Sequence, residues 1–82
     1  MNPKASVAAV LSAEKAGELS GHALIQKCTE LALSLQSVSH VVPVPEMVWH
    51  YLADADIRVK DPRYSVFQLP AVQAAIDGWQ SQ

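Results

Sequence analysis

The chain has 82 residues, half of them hydrophobic and only 17% charged, with a net charge of -2. That is long enough for one hydrophobic core and too short for two, too apolar for a disordered segment, and without the cationic excess that drives nonspecific binding to nucleic acid or anionic membrane. One cysteine rules out an internal disulfide, and no run approaches the ~18 apolar residues of a membrane span, so the expectation is a single domain over 1–82, soluble and cytoplasmic.

Asn2 and Pro3 form a helix start, because an Asn side chain accepts from free backbone donors and Pro suits the first helical position. Lys4 to Ala16 is predicted as the first helix, with Val7, Val10 and Leu11 on one face. Its short apolar run imitates a secretory leader, but Ser6, Ser12 and four alanines make it too weakly hydrophobic for one. Gly17 and Gly21 then favour a bend over a continuous helix, with Ser20 as a cap for the second helix. The competing expectation is one long helix carrying Ala13, Gly17 and Gly21 as a small-residue stripe.

From Gly21 to Val38, the residues Leu24, Cys28, Leu31, Leu35 and Val38 recur at intervals of four and three, one stripe of an amphipathic helix. Leu33 is off the pattern. Burying five side chains does not offset the ordering of this whole segment, so the helix must dock on others. Cys28, on the stripe, reads as a buried thiol.

Pro43 and Pro45 end the second helix and make a linker, and Pro45 suits the start of a third helix over 45–55. Val48, Tyr51, Leu52 and Ala55 form its inner face, and Met47 and Trp49 make it apolar almost all round. Such a helix is central in the core or touches a second molecule.

Asp54 to Arg63 breaks the apolar pattern. Asp61 and Pro62 predict a short helix over 61–68; the alternative is a small hairpin over 57–67, favoured by the β-propensity of Ile57, Val59, Tyr64, Val66 and Phe67 but marginal without a third strand. Pro70 would clash with the Val66 carbonyl, so a fresh helix is expected over 70–79, with Val72, Ala75, Ile76 and Trp79 as its stripe. The fold expected is therefore all-α, a compact bundle of four to five short helices, with an α+β form carrying the 57–67 hairpin as the alternative. All five aromatics fall in the C-terminal half, which predicts bulky side chains laid against a slimmer N-terminal helical hairpin.

Templates for chemistry fail on spacing. His22, Cys28, His40 and His50 do not fall at metal-ligand intervals, the acidic run lacks the glycine and final glutamate of a calcium loop, and no glycine-rich phosphate loop is present. His50 and Asp54, four apart, make the minimum of an acid-base pair, but a solvated hydrogen-bonded pair needs nothing more. The sequence reads as no enzyme, with no metal and no cofactor.

The function expected is that of a small non-catalytic protein-interaction domain, an adaptor, inhibitor or regulatory subunit, with self-association as one form of it. Trp, Tyr and Arg dominate interfaces, and the surface expected to bind comprises Trp49, His50, Arg58, Arg63 and Tyr64. The alternative is a DNA-binding transcriptional regulator using the 58–68 segment, where Arg58, Lys60 and Arg63 cluster; Asp54, Asp56 and Asp61 are interleaved with them, and cancelled charge releases few counterions.

Overall fold

A computed structural model describes residues 2–79 as five helices, with no strand among them. The first, α1 (Pro3–Lys15), starts as its sequence requires: the Asn2 side chain accepts from the Ala5 N–H at 3.1 Å, with Pro3 just inside. It ends at Gly17, whose φ of +76° is open to glycine without strain. The Glu18 N–H reaches back to the Ala13 carbonyl at 2.9 Å and the Gly17 N–H to that of Glu14 at 3.1 Å, which caps the helix and turns the chain. The continuous small-residue helix is thereby excluded.

Helix α2 (Gly21–Gln36) buries Leu24, Cys28, Leu31 and Leu35, as the stripe demands. Ser20 occupies the capping position with extended backbone, but its hydroxyl makes no capping bond. The helix stops two residues short of Val38, which lies half-buried in a turn and accepts from Val41 and Val42 through its carbonyl. The proline linker is pinned from the far end of the chain, since the Trp79 indole donates to the Pro43 carbonyl at 3.1 Å.

Helix α3 (Glu46–Ala53) buries Val48, Tyr51 and Leu52. Where the apolar pattern breaks, Asp54 forms a corner: it takes φ -96° and ψ 13°, and α4 (Ala55–Lys60) resumes at once with Ala55 and Arg58 turned inward. The 57–67 hairpin is replaced by helix on both sides of Asp61. Asp61 is extended and its side chain accepts from the Arg63 N–H at 3.1 Å, capping α5 (Pro62–Asp77).

A second correction concerns Pro70. The expected break there is absent, and the segments 61–68 and 70–79 are one helix, with Pro70 inside it. Gln68, Val72 and Ile76, four apart, are buried on both sides of the proline, so core packing holds the axis continuous. Val66 and Pro70 lie on the exposed side, where the carbonyl that loses its partner can be hydrated.

Helices α2 and α3, α3 and α5, α5 and α1, and α1 and α2 pack in a closed ring, with α4 wedged against α2 and α5. The core runs through all of them, from Val7 and Leu11 through Leu24, Leu35, Val48 and Tyr51 to Val72, Ile76 and Trp79. The ends are tied together as the Lys4 ammonium donates to the Trp79 carbonyl at 3.0 Å. The radius of gyration is 11.8 Å, as expected at about 12 Å for a folded chain of this length. Among the described residues no helix is long and apolar enough to cross a membrane.

Candidate functional site

The polar centre of the molecule is Arg58, 3% exposed, which with Gln68 interrupts a core of mostly apolar side chains. Its Nε donates to Glu14 Oε2 at 2.8 Å and Nη2 to Glu14 Oε1 at 3.2 Å, a two-pronged ion pair. Nη1 donates to the Tyr51 carbonyl and to Gln68 Oε1, and Nη2 also approaches the Cys28 sulfur at 3.9 Å. All the N–H donors of the guanidinium are thus engaged, with its carbon 4.1 Å from the centre of the Tyr51 ring. The Tyr51 hydroxyl donates to Glu14 Oε1 at 2.7 Å. Taking a charge out of water costs several kcal/mol unless pairing and hydrogen bonds compensate; here they do, and no buried side-chain N or O among the described residues is left without a partner.

This cluster also sets the groups that face outward. Because Gln68 gives its carbonyl to Arg58, its amide must turn the other way, and Nε2 donates to Asp54 Oδ2 at 2.9 Å. The Tyr64 hydroxyl donates to the same oxygen at 2.8 Å. Asp54 and Tyr64, both half-buried, form the polar floor of a cleft of about 260 Å³ between α3 and α5, whose walls are Met47, His50, Phe67 and Ala71. Phe67 is 77% exposed, an unusual position for a large aromatic. A larger hollow of about 560 Å³ lies between α1 and α2, where small side chains such as Ala9 and Ala13 meet Leu31, and its ionisable groups, Lys27 and Glu30, are exposed to solvent.

The five residues expected to bind separate in the structure. His50 and Tyr64 meet in the α3/α5 cleft. Trp49 packs half-buried against the core. Arg63 is exposed, its Nε donating to Asp61 Oδ1 at 3.2 Å. Arg58 is the correction: it points inward to Glu14 and is absent from the surface, because the corner at Asp54 rotates α4 so that Ala55 and Arg58 face the core. The basic cluster of Arg58, Lys60 and Arg63 consequently loses its first cation. The aromatics divide in the same way, Tyr51 and Trp79 being buried and Phe67 turned to water.

Nor do His50 and Asp54 pair. His50 Nε2 lies 3.5 Å from Glu46 Oε1, and Asp54 takes its bonds from Tyr64 and Gln68. Burial pushes the Cys28 thiol up to about 11, against the weaker opposing pull of Arg58, so it holds its proton at neutral pH. Desolvation and the hydrogen bond to Glu14 drive the Tyr51 phenol far above its ordinary range, and the hydrogen bond to Asp54 raises that of Tyr64. Among the described residues no three His, Cys, Asp or Glu side chains converge where they could hold a metal ion.

Phe67 and Gln68 are site residues that the sequence pattern did not single out for binding, Met47 was marked only as part of an apolar helix, and Asp54 only as a partner for His50. A signal for two of them is present: Gln68 stands where the four-residue stripe Gln68, Val72, Ile76 requires a buried side chain, and Phe67 stands beside that stripe. Comparison with protein-family models, curated proteins and solved structures finds no match.

Proposed function

We propose that the chain is a small non-catalytic protein-interaction domain, an adaptor, inhibitor or regulatory subunit, that binds through the α3/α5 cleft. The observation that carries this reading is Phe67, 77% exposed beside Met47 at the rim of an open cleft. Aromatic and Met side chains are enriched at interfaces, and in water their exposure brings no benefit to the isolated domain. The cleft, at about 260 Å³, is smaller than the ~300–1,000 Å³ sites that enclose small-molecule ligands, and it suits side chains of a partner. A cytoplasmic setting belongs to the same reading and is supported by the lone, buried, unpaired thiol of Cys28.

The test is capture from cells of the source organism with wild type, Phe67→Ala and a control at another exposed apolar position, Leu33→Ala. A protein retained by wild type and by the control, lost with Phe67→Ala and indifferent to nuclease supports the reading. Equal retention by Phe67→Ala, or loss of all retention on nuclease treatment, overturns it.

A further inference from the structure

We propose that the α3/α5 cleft receives a cationic side chain, arginine or lysine, carried on a partner polypeptide about one helical turn from a large apolar residue. The inference rests on the interaction reading above and adds the chemistry of the partner. In it, the cation meets the free oxygen of Asp54 while the apolar side chain covers Phe67 and Met47.

The argument is one of charge complementarity. Glu14 has Arg58 and Asp61 has Arg63, whereas Asp54, half-buried at the cleft floor, has no Lys or Arg within ion-pair distance among the described residues. Both of its internal bonds, from Tyr64 and Gln68, fall on Oδ2, and no described residue donates to Oδ1. The donors of the floor are already spent. The Gln68 amide is committed to Asp54 because Arg58 holds its carbonyl, and the Tyr64 hydrogen is committed to the same carboxylate. What the floor has left is acceptors, namely Asp54 Oδ1 and the lone pairs of the phenol oxygen, while the one imidazole of the walls, His50, is turned to Glu46. No Lys or Arg lines the cleft, and Glu46, exposed and 3.5 Å from His50, adds negative charge at its rim. An anionic ligand would meet the unpaired Asp54 carboxylate and no Lys or Arg. A cation with an apolar neighbour fits both the polar floor and the apolar walls, and the floor is preorganised by a network anchored in the core.

The experiment titrates short acetylated, amidated peptides into the isotope-labelled full chain and follows backbone amide resonances. One peptide carries leucine and arginine a helical turn apart; a second has glutamate for the arginine; a third has alanine for the leucine. The expected result is shift changes at Met47, His50, Asp54, Tyr64, Phe67 and Ala71 with the first peptide, binding about tenfold or more tighter than the glutamate peptide, and weaker binding of the alanine peptide. Asp54→Asn, whose amide carbonyl can still accept from Tyr64 and Gln68, should remove most of the preference for arginine. Should that variant fail to fold, the comparison of peptides on unaltered protein decides alone. Equal binding of the arginine and glutamate peptides at the cleft overturns the cation proposal while the interaction surface stands. Shifts elsewhere, or none, also overturn it, and the capture experiment with Phe67→Ala then judges the interaction reading separately.

Discussion

The carboxylate of Glu14 and the guanidinium of Arg58, 44 residues apart in the chain, meet at 2.8 Å with both side chains almost wholly withdrawn from water. This contact joins α1 to α4, and through Tyr51 and Gln68 it reaches α3 and α5. A buried ion pair is costly to break because the charge left behind has no water.

Removing one partner is therefore expected to be severe. Arg58→Met should cost about 3–5 kcal/mol, a large share of the ~4–12 kcal/mol that a domain of this size has. Glu14→Gln should cost a similar amount, since it leaves the buried Arg58 charge unpaired and turns an amide NH2 toward groups that donate. In urea unfolding the double variant should be more stable than the sum of the two single losses; simple additivity would show that the pair is not coupled.

Alkaline pH should destabilise the fold through Cys28 and Tyr51. Burial raises the Cys28 thiol from 9.0 to about 11, so over that interval the folded chain keeps a proton that the unfolded chain releases, and stability falls as pH rises from about 9 through 11. Tyr51, raised by desolvation and by Glu14, acts in the same direction. Cys28→Ala should flatten the decline of the unfolding midpoint between those pH values, and native protein at pH 8 should react with a thiol reagent only as fast as it opens. Rapid labelling without unfolding would contradict the burial.

Pro70 sits inside α5 on its exposed side. Pro70→Ala restores a donor for the Val66 carbonyl and relieves the ring, and should stabilise by about 1–3 kcal/mol, the helix-interior cost of proline less the freedom regained by the unfolded chain. Thermal unfolding checks this, and a lower midpoint would mean that the proline holds a bend the core needs.

Gly17 has φ +76° with nothing within 4 Å of where a Cβ would stand. Gly17→Ala thus tests backbone strain alone, and a loss of about 1–2 kcal/mol is expected from the left-handed conformation. An unchanged midpoint would show that the chain turns there by another route.

The local features of this fold are legible in the chain because their causes are local. Asn2 with Pro3, Asp61 with Pro62, and Gly17 mark ends of helices through bonds made within a few residues, and the four-and-three spacing from Leu24 to Leu35 requires only a helix and a core. Arg58 and Pro70 are different. A basic residue between aspartates reads as solvated, and a proline after a helical turn reads as a break, unless the distant partners are known. Packing supplied those partners: Glu14, Tyr51 and Gln68 make burial of Arg58 tolerable, and the shared burial of Gln68, Val72 and Ile76 carries α5 across Pro70.

The cleft has the same cause. Once Arg58 draws Gln68 inward and α5 is continuous, Phe67 can only face outward and Asp54 is left without a cation. Residue order along the chain was enough to mark the helix ends at Asn2, Gly17 and Asp61 and the apolar stripe of α2, since each depends on neighbours within a turn or two, but not α4 or the continuity of α5 across Pro70. Which polar groups satisfy one another in the core, and hence which are left to face a partner, was set by contacts between residues distant in the chain.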